Sequence, residues 1–172
     1  MDFKALLSQF PSGIEKELYI SEVGSAPEKV KSLLDIALNE KDPLAWRAAW
    51  VLDGSDEKHP GQARDYISAI VCKLPNLKSN GSLRSLLRML CRYNIPEDDQ
   101  GILIDLCFKY LVSELYPVAV KVHAMQIVYQ HVLIYPELKE ELVTVIQDQV
   151  GNNTVGFKSR GRRIIKQLEA IN

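Results

Sequence analysis

The sequence predicts an all-α fold of stacked helical hairpins, and three observations predict it. The first is a period: Arg47, Arg84, Lys121 and Lys158 are separated by three equal steps of 37 residues, and the residue before each is apolar, namely Trp46, Leu83, Val120 and Phe157. Periods in this range mark helical hairpins that bury their apolar faces only against neighbouring copies. The second is an independent alignment. P-E-L-K-E-E-L-V-T-V-I from Pro136 can be laid on P-G-Q-A-R-D-Y-I-S-A-I from Pro60, and Pro117 opens a segment 74 residues after Pro43 opens one. The third is that apolar residues recur at i, i+3, i+4 and i+7, with no alternating strand pattern that survives this period.

Residues 1–24 do not fit the repeat and are expected to form an N-terminal cap. A short helix from Asp2 to Phe10 carries Phe3, Leu6, Leu7 and Phe10 on one side, Pro11-Ser12-Gly13 ends it, and a second short segment runs from Ile14 to about Val23. A solenoid needs such an atypical end, because a regular repeat there would leave its apolar face in water.

The first hairpin spans 25–54. Ser25 and Glu28 have capping-box spacing, Pro27 suits a first helical turn, and Val30, Leu33, Leu34, Ala37 and Leu38 give one buried face. Asp42 is expected to cap the inner helix, with Pro43 in its first turn, Trp46, Ala49, Trp50 and Asp53 at helical spacing, and Gly54 closing it. The second hairpin spans 60–93: Pro60 opens an outer helix that turns Tyr66, Ile67, Ile70, Val71 and Leu74 inward, and an inner helix follows from about Ser82 to Tyr93. The third, 96–132, begins with Glu97, Asp98 and Asp99 in a first turn, where the helix dipole favours carboxylates, and its outer helix extends to near Tyr116. The fourth, 136–171, opens at Pro136, passes a loop at Gly151-Asn152-Asn153, and ends in a helix from about Gly156 to Ile171.

Apolar residues make up 47% of the chain and charged residues 25%, with a formal net charge of −1. That balance excludes a strong global attraction to nucleic acid or acidic membranes, so any site for a polyanion is a local patch. No run approaches the ~18 apolar residues of a membrane span, and the N-terminus lacks the pattern of a secretory signal. Cys72, Cys91 and Cys107 are odd in number, widely spaced and set in apolar helical contexts, which reads as free buried thiols in a reducing compartment. A soluble cytoplasmic protein is expected.

The run D-P-L-A-W-R-A-A-W-V-L from Asp42 to Leu52 resembles the inner helix of armadillo/HEAT-type repeats, with its Asp-Pro entrance, aromatic-Arg pair, small residues and Leu at Asp42, Pro43, Trp46, Arg47, Ala48, Ala49 and Leu52. The later copies carry Ser79, Tyr116 and Asn153 in place of Asp42. The resemblance covers 25–172. It implies a right-handed α–α superhelix of about four hairpins whose inner helices line a concave surface. Proteins similar to it serve as protein-binding scaffolds, and the architecture also occurs in DNA-repair glycosylases. The tetratricopeptide pattern fits less well, since its period is 34 and its W-x-x-L-G-x-x-Y signature is missing.

Charge sorts by helix. Residues 97–114 carry a net −4, whereas 82–93 hold Arg84, Arg88 and Arg92 without an acid, and the last helix holds Lys158, Arg160, Arg162, Arg163 and Lys166 against Glu169. With the inner helices facing inward as the resemblance implies, this suggests a basic groove, for which the candidate residues are Arg47, Arg84, Arg88, Lys121, Lys158 and Arg162. The expected function is a non-enzymatic scaffold that holds an acidic protein segment there. The bland alternative is that Arg84, Arg88 and Arg92 are a solvated face and that the periodic cations brace neighbouring repeats.

The other alternative is a nucleic-acid backbone, as in an alkylbase glycosylase-like repair protein, held by neutralised phosphates. Such an enzyme needs an acid beside aromatics, and Trp46, Trp50 and Asp53 share one helix, although a tryptophan pair at i, i+4 is also ordinary core packing. No catalytic residue is carried over from the resemblance. His59, His123 and His131 lack metal-ligand spacing and no phosphate loop is present, so neither a metal nor a cofactor is expected.

Overall fold

A computed structural model describes residues 2–9, 13–24, 26–151 and 153–171, with backbone alone at 13 and 14. The described residues form ten α-helices and two short 3-10 turns, with no strand. The chain divides into two compact units, Met1–Pro96 and Glu97–Asn172, and each has the layered helix packing of a solenoid.

The first unit opens with α1 (Phe3–Ser8) and α2 (Gly13–Val23). Asp2 caps α1 by accepting from the amides of Lys4 and Ala5 at 3.0 and 3.2 Å, and Phe3 and Leu7 are buried as the pattern requires. Phe10, placed on the same face by the sequence, lies outside the described residues. Next come α3 (Pro27–Asn39) and α4 (Leu44–Lys58). Pro27 opens α3 after an Ala26 N-cap, and Ser25 of the expected capping box lies outside the described residues. Val30, Leu33, Leu34 and Ala37 form the buried face, which packs on α4.

Gly54 does not close α4. The helix continues four residues beyond it, because Gly54 is where α2 crosses: a Cβ there would meet Ile20 Cδ1 at 2.5 Å. The glycine serves helix approach, not helix ending.

The segment from Pro60 departs from the expected helix. Gly61 adopts φ +96°, which L side chains avoid, and residues 60–63 fold around Tyr93, whose hydroxyl accepts the Ala63 amide at 3.0 Å. Helix is delayed to a 3-10 turn at Arg64–Tyr66, α5 (Ile67–Lys73) and a second turn at Leu74–Asn76. Ile67, Ile70, Val71 and Leu74 are buried as expected, while Tyr66 is half-buried. Ser79 then caps α6 (Asn80–Leu90) through the Ser82 amide at 3.1 Å. Helices α4 and α6 approach closely, since a Cβ at Gly81 would meet Trp46 Cβ at 2.6 Å.

The second unit consists of α7 (Glu97–Val112), α8 (Val118–Val132), α9 (Leu138–Val150) and α10 (Val155–Glu169). Helix α8 packs on α7, α9 and α10, and its Val120, Ala124, Met125 and Val128 are fully buried. Helix α7 stops at Val112, short of Tyr116, whose ring instead turns back edge-on to Tyr110 with centroids 4.7 Å apart. Gly161 lets α9 approach α10, a Cβ there meeting Ile146 Cγ2 at 2.7 Å. Asn152 of the expected loop lies outside the described residues. The three cysteines are free, but only Cys107 is buried: Cys91 is half-buried and Cys72 exposed, on the outward side of α5. Among the described residues no helix is long and apolar enough to cross a membrane.

Candidate functional site

Two arginines of the first unit are held by acids. Arg88 lies in the last turn of α6 and Arg92 in the turn just beyond its end, while Asp53, Asp56 and Glu57 lie at i, i+3 and i+4 on α4, so the two segments present complementary charge to each other. Asp53, 2% exposed, accepts from Arg88 Nη1 at 2.6 Å and from Arg92 Nη2 at 2.9 Å. Asp56, 1% exposed, accepts from Arg92 Nε and Nη2 at 3.0 and 2.9 Å, and from the Tyr93 hydroxyl. Glu57 closes the chain with two bonds from Arg88 Nη2 at 2.8 and 2.7 Å, which hold its carboxyl below the usual range. Burial and then the bond to Asp56 push the Tyr93 phenol up to about 12. Buried carboxylates tolerate this setting because each is saturated by donors.

This arrangement removes the glycosylase-like reading of Asp53. The carboxylate is buried and accepts two guanidinium bonds, so it is no free acid beside an exposed base. Trp46 and Trp50 pack at 6.1 Å between centroids, with Lys16 Nζ 4.4 Å over the Trp50 ring and the Trp46 Cβ against Gly81. Burial lowers the Lys16 pKa, with Asp53 opposing.

Arg47 is also structural in its setting. It is 7% exposed, and its Nη1 donates to the carbonyls of Leu7, Ser8 and Gln9 at 2.7, 3.0 and 3.3 Å. These are the orphan acceptors at the C-terminus of α1, where a cation is also favoured by the helix dipole. Its counterpart two periods on, Lys121, is 5% exposed and donates to Gln149 Oε1 at 3.1 Å, which Asn153 Nδ2 also reaches at 3.1 Å. Burial lowers the Lys121 pKa, and Glu114 opposes this. The other two periodic cations behave differently: Arg84 is exposed and Lys158 half-buried. The 37-residue register therefore alternates between an inward, anchoring cation and an outward one.

Of the six groove candidates, then, Arg47, Arg88 and Lys121 have partners within their own unit, and Arg84, Lys158 and Arg162 remain available. In the second unit the available charge collects on α10. Among the described residues, none of Lys158, Arg162, Arg163 and Lys166 makes an ion pair or a side-chain hydrogen bond. Helix α8 beside it contains no acid, and α10 itself only Glu169.

The buried Asp53/Asp56 acceptors were not identified as such from the sequence. A signal was present: an acidic i, i+3, i+4 triplet ending one inner helix and a basic i, i+4 pair on the next are complementary.

Helices in stacked antiparallel layers, with a polar bridge from α4 to α6, define a helical-repeat protein. The family model for the HEAT repeat domain matches residues 4–168. The chain belongs to the HEAT repeat family, whose repeats generally mediate protein–protein interaction. No curated protein and no solved structure matches it.

Proposed function

We propose that this HEAT repeat protein binds an acidic, extended segment of a partner protein along the exposed basic strip of α10. The observation that carries the reading is the unpartnered set Lys158, Arg162, Arg163 and Lys166, set beside the paired Arg88 and Arg92 of the other unit. Lys158, Arg162 and Lys166 recur every four residues, about 6 Å of helix rise per step. Alternate side chains of an extended chain repeat at about 6.6 Å, so three alternating carboxylates meet three cations. Exposed pairs contribute little singly, but several in register steer encounter and set specificity, and they weaken with salt.

The test is fluorescence anisotropy of a labelled peptide with alternating glutamates. Reversing charge in the double variant Arg162→Glu/Lys166→Glu lowers its affinity at least about tenfold with helicity unchanged. Equal binding by the variant sinks the reading. A single-stranded oligonucleotide run in parallel separates it from nucleic-acid binding. An oligonucleotide bound more tightly at physiological salt, with a steeper salt slope, favours the phosphate backbone instead.

A further inference from the structure

A recess of about 280 Å³ lies within the second unit, between the α7–α8 connection, the first turn of α8 and the C-terminal end of α9. Glu114 and Tyr116 line it from the connection, Lys121 from α8, Asp148 and Gln149 from α9, and Asn153 from the loop after α9. None of these residues belongs to the strip on α10.

Lys121 is the buried cation of this recess, and its hydrogen bonding is incomplete. Arg47, three turns of the same logic earlier at the first register position, sets one nitrogen against three carbonyls. The Lys121 ammonium has three donors and a single acceptor among the described residues, Gln149 Oε1 at 3.1 Å. That acceptor is neutral, and it is held in place by Asn153, whose Nδ2 donates to the same oxygen at 3.1 Å and to the Gln149 carbonyl at 2.8 Å. A buried ammonium with unmet donors is costly, so the position favours an acceptor brought in from outside the chain. Glu114 and Asp148 are exposed, and neither makes an ion pair or a side-chain hydrogen bond among the described residues. A buried cation with spare donors thus lies beneath two exposed carboxylates with no partner.

We propose that this recess binds a small free α-amino acid as its zwitterion, with the ligand carboxylate on Lys121 and the ligand ammonium between Glu114 and Asp148. The charge pattern selects against simpler ligands. A lone anion that reached Lys121 would also face two carboxylates. A lone cation would satisfy those carboxylates but leave the lysine donors unmet and add a like charge beside them. A zwitterion meets both requirements, and each of its contacts is a charge-assisted hydrogen bond, the stronger kind. The volume sits just under the ~300–1,000 Å³ of pockets for drug-sized ligands, which suits a molecule of amino-acid size. Half-exposed Val112 at the edge and the Tyr116 ring offer apolar surface to a short, uncharged side chain.

The deciding experiment is an amide NMR titration of the full chain with glycine, L-alanine, L-serine and L-valine in turn. At least one binds saturably, with shifts centred on Lys121, Asp148 and Asn153. Its N-acetylated form, which lacks the ammonium, and its carboxamide, which lacks the carboxylate, each bind at least about tenfold more weakly. The double variant Glu114→Gln/Asp148→Asn changes two exposed positions, so its fold is retained, and it weakens the zwitterion at least about tenfold while changing the N-acetylated form by less than about twofold. Lys121→Met weakens the zwitterion by a similar factor; should that buried substitution unfold the chain, the double variant decides alone.

Saturable binding by none of the four amino acids overturns the inference. An N-acetylated form or a carboxamide that binds within about twofold of the zwitterion also overturns it, because the recess would then take a lone anion or a lone cation. Zwitterion affinity unchanged within about twofold in the double variant puts the binding elsewhere and has the same consequence. None of these results touches the reading of the α10 strip, which is tested with a different ligand and different residues.

Discussion

The two units use the same kind of residue in opposite ways. In Met1–Pro96, Arg47 is anchored on the backbone of α1, and Arg88 and Arg92 are anchored on acids of α4. In Glu97–Asn172, Lys121 is anchored likewise, but Lys158, Arg162, Arg163 and Lys166 of α10 make no ion pair among the described residues. A cation count per helix cannot separate these cases. What separates them is whether the helix packed alongside carries acids: α4 sets Asp53, Asp56 and Glu57 against Arg88 and Arg92, whereas α8 carries no carboxylate. Cations that brace a fold contribute to its stability, while cations without partners are available to a ligand.

The largest effect expected is on the braced side. Asp56→Ala removes the acceptor of the Tyr93 hydroxyl and of Arg92 Nε, leaving the Arg92 guanidinium on Asp53 alone, and costs about 3 kcal/mol, below the top of the range for buried pairs because the Arg92 side chain is 28% exposed and keeps that second carboxylate. Urea unfolding measures it, and a loss under about 1 kcal/mol would mean that the bridge is solvent-relaxed.

Glycine contacts come next, one in each unit. Gly81→Ala drives a methyl into Trp46 Cβ and Gly161→Ala drives one into the stiff Ile146 Cγ2. Each is expected to cost about 1–3 kcal/mol, tempered by the helix propensity gained. If the two glycines give similar losses, close helix approach is common to both units despite their different electrostatics.

Charge reversal sharpens the contrast directly. Arg88→Glu sets a carboxylate against Asp53 and Glu57 and lowers stability by about 2 kcal/mol or more, whereas Arg162→Glu changes stability by less than about 0.5 kcal/mol and shows its effect in peptide binding.

The smallest effect is a pH slope. The Tyr93 phenol has a folded pKa of about 12 against an ordinary value of 10.0, so below pH 10 both states are protonated and nothing is lost. Between pH 10 and about 12 the unfolded chain releases this proton and the folded one retains it, so stability falls across that window. Tyr93→Phe flattens this part of the fall, read as a smaller change in the urea midpoint between those pH values.

Much of the architecture was legible because its causes are local. Proline at Pro27, Pro117 and Pro136, acids at Glu97–Asp99, and the apolar spacing of Val30, Leu33, Leu34 and Ala37 each act within a turn or two of helix. What escaped depends on contacts distant in sequence. Gly54 reads as a helix stop until α2 is seen to cross it, and Pro60 reads as a helix start until Tyr93 gathers the following loop. Arg47 and Arg84 share one register position, and only the presence of α1 carbonyls beside the first makes it an anchor. The site was legible in part for the same reason. The basic character of α10 is written in its own residues, but that Arg88 is held and Arg162 is not depends on acids 35 residues upstream of the former.

The most direct test of the division between bracing and available cations is a two-dimensional amide NMR titration of the isotope-labelled protein with the glutamate-rich peptide. Shifts concentrated in α10 and saturating with the peptide, with α4 and α6 unmoved, are what this account predicts. Shifts centred on α4 and α6 around Arg88 and Arg92, or none in α10 at saturating peptide, would contradict it.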